Sequence, residues 1–312
     1  MRSLILGIGG QDGSYLAEIL LNRGHQVFGL HRRTSNDNLQ RIERIRDSVK
    51  LRQGDVTDVM CMADLIQTIR PDHVYNMADQ DNVGWSFHTP QTSLDVTASA
   101  VFQLMETVRL LSPETKIFQP ISATIFGDAP PPQNEATLLN PRSPYACAKT
   151  AALHYCRFFR QHYGLFVTTA IFYNHDSPRR NPDCLLHYLF RCALEIQAGT
   201  LDAIPLGDPD LPVDIGYAGE FMVLVADMME QGRPDDFVVG TGIPRTVKEI
   251  AQHVLASMDL SVVLTKPDLE YVSQDGRRIL VADISKAKWI LGFVPRVRLE
   301  ELVSCVSTRY KR

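Results

Sequence analysis

Ser3-Leu4-Ile5-Leu6-Gly7-Ile8-Gly9-Gly10-Gln11-Asp12-Gly13-Ser14-Tyr15-Leu16 is the stretch that decides the fold. A short, mainly apolar run reads as a buried strand, and the segment from Gly13 onward has helical period. Between them, glycines at 7, 10 and 13 let the chain turn tightly, bring backbone N–H groups against a pyrophosphate and seat the helix on the strand. A glycine turn without a ligand is the bland alternative, and the strand before it and the helix after it weigh against that.

The same alternation continues outward. Strands are predicted at 3–6, 26–30, 50–52, 73–77, 116–121 and 166–172, with helices near 13–23, 38–46, 58–69, 91–111 and 145–163. Sustained βα alternation implies a doubly wound, Rossmann-type parallel sheet covered by helices. From about residue 174 the pattern breaks into stretches punctuated by Pro and Gly. The expected architecture is therefore a cofactor lobe over 1–173, with part of 214–240 returning to it, and a smaller substrate-binding lobe over 174–312. The second predicted strand ends in His31-Arg32-Arg33-Thr34, where an acid would suit the ribose hydroxyl of NAD. Two arginines favour the 2′-phosphate of NADP, with NAD left open.

A formal charge of −4 on 312 residues, with both signs mixed along the chain, gives no reason to expect nucleic acid or a membrane surface. No apolar run approaches spanning length and no signal-peptide pattern opens the chain, so the expected compartment is the cytoplasm. The cysteines at 61, 147, 156, 184, 192 and 305 have no C-x-x-C spacing, and His31, His73, His88 and His187 stand apart from them. Reduced thiols and no metal are expected.

Chemistry gathers at Pro141-Arg142-Ser143-Pro144-Tyr145-Ala146-Cys147-Ala148-Lys149. Tyr145 and Lys149, four apart at a helix start, share one face. An ammonium beside a phenol stabilises the phenolate, giving a base able to take a proton from a sugar hydroxyl as hydride leaves its carbon. The strand before that helix ends at Ser122, whose hydroxyl can bond the same substrate oxygen. Tyr145 and Lys149 are also expected against the nicotinamide ribose. A protein that only bound the cofactor, as a sensor or scaffold, would have no need of this triad.

With those residues in place, the chain resembles the GDP-mannose 4,6-dehydratase branch of the extended short-chain dehydrogenases. The likeness runs through Gly10-Gln11-Asp12-Gly13-Ser14-Tyr15-Leu16-Ala17, Arg32-Arg33, Gly54-Asp55-Val56-Thr57-Asp58, Val83-Gly84-Trp85-Ser86-Phe87, Asn174-His175-Asp176-Ser177-Pro178-Arg179-Arg180 and Asp283-Ile284-Ser285-Lys286-Ala287-Lys288. The resemblance implies that Gln11, Asp12 and Val56 lie at the cofactor, Asp55 holds the adenine amino group, and Arg32 and Arg33 meet the NADP phosphate. It also implies that Asn174 and Arg180 lie at the sugar diphosphate, that guanine is the base, and that a homodimer or homotetramer forms through helices 94–110 and 145–163.

Departures from the branch shift the expected outcome. Its Ser-Thr-Ser-Glu is replaced by Ile121-Ser122-Ala123-Thr124, and a threonine cannot take the C5 proton that 4,6-dehydration requires. Ser-Ala-Thr followed by Ile125-Phe126-Gly127 resembles the nucleotide-sugar 4-epimerases instead. Val213 stands where a phosphate-binding arginine is expected, a role that Arg277 or Arg278 could assume, and Asp79 and Asp81 replace alanine and serine near the cofactor–substrate boundary. The leading expectation is thus a GDP-sugar 4-epimerase working by transient C4 oxidation and re-reduction, with Thr124 and Asp81 at the sugar. A 4,6-dehydratase or a C4 reductase or dehydrogenase is the alternative.

Overall fold

A computed structural model describes residues 1–34, 39–261 and 278–311. Strands β1 (Arg2–Leu6), β2 (Gln26–His31), β3 (Lys50–Gln53), β4 (His73–Asn76), β5 (Lys116–Ser122), β6 (Val167–Phe172) and β9 (Asp236–Val239) form one seven-stranded sheet in the order β3-β2-β1-β4-β5-β6-β9. Every pairing in it is parallel. The order reverses at β1, where its neighbours β2 and β4 run to opposite sides, and doubly wound sheets open their ligand crevice at such a point. A three-stranded sheet of β7 (Asn174–Asp176), β8 (Pro212–Tyr217) and β10 (Pro244–Thr246) lies beyond it.

The central strands are apolar runs because both faces are covered. One face packs α2 (Val59–Ile69), α5 (Ala100–Leu111) and α6 (Pro144–Tyr163) around Val74, Leu104, Ile117, Leu153 and Val167. The other packs α1 (Gln11–Asn22) and α8 (Ala218–Met229) around Ile5, Leu16, Phe118 and Phe221. A separate apolar cluster joins α7 (Leu185–Gln197), α9 (Val247–Ser257) and α11 (Leu299–Ser307), while α10 (Ser285–Leu291) packs Ala287 against the second face.

Local chemistry sets the element ends that matter for the site. The Ser143 hydroxyl caps α6 by accepting the Ala146 N–H at 3.1 Å, Pro144 occupies the first turn where no N–H is needed, and Gly164 ends the helix at φ 70°. Pro120 lies inside β5 but past Phe118, the last residue paired with β4, so that edge loses no ladder bond. The helix predicted over 91–111 is interrupted: α4 (Pro90–Leu94) passes into a π-helical turn at Asp95–Ser99 before α5. A short helix, α3 (Val83–Ser86), precedes it, and the segment predicted as a helix near 38–46 is a 3-10 helix over Gln40–Ser48.

Candidate active site

The carboxyl ends of β1, β2, β4, β5 and β6 open into a cleft of about 550 Å³. Its floor is the glycine turn. Gly7 has φ +78°, and a Cβ there would lie 2.8 Å from the Met77 carbonyl; one at Gly13 would lie 2.5 Å from the Gly7 carbonyl. The backbone is therefore bare and close-packed where a pyrophosphate would rest, and no side chain caps the first turn of α1. These features fit a dinucleotide. Gly10, Leu30, Arg32, Gly54, Asp55 and Val56 continue the cleft along the β2 side. Asp55 accepts from the Thr57 N–H and hydroxyl at 3.0 and 2.8 Å, which orients its carboxylate. Arg32 lines the cleft, whereas Arg33 is exposed outside the lining.

Gln11 and Asp12 spend their side chains on the segment after β6. The Ser177 hydroxyl donates to Gln11 Oε1 at 2.7 Å, and Asp12 Oδ2 lies 3.0 Å from His175 Nε2. His175 Nδ1 faces the Tyr173 carbonyl at 2.9 Å. The ring thus bridges the Asp12 carboxylate and the Tyr173 carbonyl. Burial alone would raise the Asp12 carboxyl, but His175, Arg180 and the Gln11 amide bring it down to about 2. What the two residues can offer a ligand is chiefly their backbone N–H groups.

Two groups that the sequence reading missed also shape this wall. Arg41 donates to the Gly9 carbonyl at 3.1 Å, the Arg179 carbonyl at 2.6 Å and Asn181 Oδ1 at 3.1 Å, placing a guanidinium beside the glycine turn. Burial and the neighbouring Arg309 and Arg179 pull its pKa below the ordinary arginine range. His175 is the other. It stands inside a quoted motif, but nothing local marks its partner, Asp12.

Ser122, Tyr145 and Lys149 meet across the cleft from the glycine turn. The Ser122 Oγ accepts the Thr124 hydroxyl at 3.0 Å and its N–H at 3.3 Å, capping the short turn Ala123–Phe126. Thr124 thus lines the cleft with its hydroxyl turned to Ser122. Lys149 Nζ lies 5.8 Å from the centre of the Tyr145 ring and donates to the Pro120 carbonyl at 2.8 Å. It also lies 2.5 Å from Asp79 Oδ2.

That pairing corrects one expectation. The lysine was to lower the phenol, but its charge is taken up by a carboxylate. Burial, Asp79 and Asp81 push Tyr145 well above its ordinary value, against a hydrogen bond from Ser122 and the charge of Arg180.

Farther along the cleft, Asp81 and Arg180 lie 3.8 Å apart, and the Asp81 side chain is 51% exposed. Arg180 also donates to Cys184 Sγ at 3.0 Å; burial would lower its pKa, but Cys184, Asp81 and Asp12 raise it. Asn174 lines the cleft at the start of β7. Val213 lies in β8 opposite Arg245 of β10. Arg277 falls outside the described residues, and Arg278 does not line the cleft.

A family profile described as GDP-mannose 4,6 dehydratase matches residues 4–306. GDP-mannose 4,6 dehydratase 2 of Arabidopsis thaliana is 38% identical over 320 residues, covering 96% of this chain and 84% of that protein. The human GDP-mannose 4,6 dehydratase is 33% identical over 330 residues, covering 96% and 89%. Among solved structures, the Thermotoga maritima UDP-glucose 4-epimerase with UDP-glucose superposes with a TM-score of 0.87 at 23% identity, covering 99% of this chain and 98% of that one. The dTDP-glucose 4,6-dehydratase of Bacillus anthracis with NAD gives 0.84 at 21%, covering 99% and 96%. At those identities the structural likeness establishes the fold.

Proposed function

The chain belongs to the GDP-mannose 4,6-dehydratase family of nucleotide-sugar enzymes, and from that membership we propose that it oxidises a GDP-sugar at C4 with bound NADP and carries the 4-keto sugar on to 4,6-dehydration. The observation that carries the reading is the meeting of Ser122, Tyr145 and Lys149 over a glycine turn suited to a dinucleotide, in a single cleft. The relatives' names favour dehydration over the epimerisation that the sequence ranked first.

The cofactor would accept hydride from C4 and later return it. Arg32 and Arg41 stand where an adenosine 2′-phosphate would meet the end of β2 and the glycine turn, which supports NADP. Tyr145 Oη takes the O4 proton while Ser122 Oγ hydrogen-bonds the same oxygen. A 4-keto group acidifies C5–H, and a carboxylate must receive that proton. Both Asp79 oxygens are engaged, by Lys149 and by the Thr97 hydroxyl at 2.6 Å, so Asp81, half exposed and 3.8 Å from Arg180, is the carboxylate assigned as that base. The C6 hydroxyl then leaves as water with a proton from solvent, and hydride returned to C6 with a proton regained at C5 would complete the 4-keto-6-deoxy sugar. The helical region beyond β7 would hold the sugar, with Asn174 and Arg180 at its diphosphate.

A second reading, 4-epimerisation, is favoured by Thr124, which places a hydroxyl where the dehydratase base is expected. Turnover of GDP-mannose in deuterium oxide separates the two. Dehydration gives a 4-keto-6-deoxy product, lighter by the elements of water and deuterated at C5; epimerisation gives neither change. Reduced cofactor accumulating with a 4-keto sugar that keeps its C6 hydroxyl would refute both.

Phe102 on α5 and Tyr155 and Phe158 on α6 are 40%, 37% and 45% exposed, with the Phe102 and Tyr155 rings 5.2 Å apart. This apolar face supports a homodimer. Six unpaired cysteines accord with the reducing cytoplasm. Among the described residues, no helix is long and apolar enough to cross a membrane.

A further inference from the structure

Asp79 sits in the loop after β4, and its side chain is 13% exposed against 2% for Lys149. Every part of its carboxylate is fixed. Oδ1 accepts the Thr97 hydroxyl at 2.6 Å and the Gln80 N–H at 2.9 Å, and Oδ2 holds Lys149 Nζ at 2.5 Å. Thr97 belongs to the π-helical turn between α4 and α5, a kind of local irregularity that recurs at functional sites. Among the described residues, the other acceptor for Lys149 is the Pro120 carbonyl at 2.8 Å. The ammonium and carboxylate thus form a buried neutral pair beside the phenol.

A lone lysine cation at this place would favour the Tyr145 phenolate; a lysine matched by a carboxylate does not. The charged groups facing Tyr145 are Lys149 on its own helix, Asp79 and Asp81 on the loop after β4, and Arg180 beyond β7, with the Ser122 hydroxyl at the end of β5. Burial and the two aspartates act together to keep the phenol protonated, against Ser122 and Arg180.

We propose that Asp79 is a positioning residue that holds Lys149 in a neutral pair and so keeps Tyr145 a phenol until a ligand in the cleft draws the lysine away. The inference deepens the proposed reaction and rests on Tyr145 being its base, whichever sugar is used.

The test is an ultraviolet difference titration of the whole protein without nucleotide. Tyr145→Phe is subtracted to isolate one phenolate among ten tyrosines. In wild type, Tyr145 should contribute well under half a phenolate at about pH 10, where an ordinary tyrosine is half ionised. Asp79→Asn keeps the shape and loses the charge, and its phenolate-to-phenol ratio at that pH should rise at least about tenfold, the effect of one pKa unit. Asp79→Glu should behave as wild type. Equal ratios in Asp79→Asn and wild type would overturn the proposal.

Should Asp79→Asn fail to fold, judged by circular dichroism, Lys149→Gln is compared with Lys149→Gln/Asp79→Asn. The unpaired carboxylate should suppress the phenolate in the first and release it in the second, and identical titrations would again overturn the proposal. The readout needs no turnover. Inactivity on every nucleotide-sugar would sink the proposed reaction and leave this result standing, whereas an unmoved titration in an active enzyme would sink this inference alone.

Discussion

Replacing Asp12 by asparagine tests how the glycine turn is tied to the strand across the cleft. Asp12 lies in the first turn of α1, 22% exposed, with Oδ1 accepting the Gln11 amide at 3.0 Å and Oδ2 facing His175 at 3.0 Å. Its carboxyl falls from 3.8 to about 2, which at about 1.36 kcal/mol per unit amounts to roughly 2 kcal/mol favouring the folded, ionised form. Because the folded-state value is depressed, this contribution is complete above about pH 4 and is lost as pH falls through about 2. Asp12→Asn should therefore unfold in urea with a stability roughly 2 kcal/mol below wild type at pH 7. The gap should close steadily from pH 4 toward pH 2, where both proteins present a neutral group to His175. Urea midpoints at four or five pH values give the curve. A deficit that stays constant down to pH 2.5 would show that packing or amide geometry, not the carboxylate charge, carries the effect.

Other expectations bear on chemistry and cofactor. Tyr145→Phe should lower turnover by several orders of magnitude while calorimetry finds near-normal NADP binding; Lys149→Met should impair both, because its ammonium is expected at the nicotinamide ribose. Changing Arg32 to serine should narrow the gap between NADP and NAD affinities and changing Arg33 should not, since a charge-assisted contact to the 2′-phosphate is worth about 1.5–3 kcal/mol, NAD lacks it, and Arg33 lies outside the cleft. Gly13→Ala forces a Cβ to within 2.5 Å of the Gly7 carbonyl, so the folded variant should lose dinucleotide binding measured by cofactor fluorescence. Thr124→Glu restores a carboxylate after β5, and adding it to Asp81→Asn should recover C5 deuterium exchange by about 10²–10⁴-fold, the ordinary worth of a positioned base.

The sheet was legible because its strands are short apolar runs buried on both faces, and Val27–Leu30, Val74–Tyr75 and Val167–Phe172 admit little else. The short β9, Asp236–Val239, escaped because Asp236 is charged and buried. It is held there by Arg157 and Arg160 at 2.7 Å each, partners far away in sequence. The π-helical turn at Asp95–Ser99 has the same apolar spacing as the α-helices around it, so no local pattern betrays it. Tyr145 and Lys149 could be placed by spacing alone, being four apart on one helix. Their electrostatics could not, because the deciding partner, Asp79, lies 70 positions before Lys149 and is brought to it only when β4 and β5 pair. Arg41 was hidden for a similar reason: its acceptors at Gly9, Arg179 and Asn181 come from two distant loops.

The departures from the dehydratase pattern at Asp79, Asp81 and Thr124 all line one cleft, and they act on one quantity, the placement of negative charge around the sugar and its base. A carboxylate is missing from the turn after β5, and two stand on the loop after β4. One of these is committed to Lys149, and the other, Asp81, is half exposed beside Arg180. A base on that wall would differ from a buried one in a measurable way. A carboxylate open to water exchanges its proton with solvent faster than it can return the same proton to C5, whereas a sequestered one can give back what it took. If Asp81 receives the C5 proton, the product formed in deuterium oxide should carry solvent deuterium at C5 in nearly every molecule, and Asp81→Asn should stop dehydration while C4 oxidation still reduces the cofactor. Substantial retention of substrate hydrogen at C5 would place the base elsewhere, in a site closed to water, and would remove Asp81 from the mechanism.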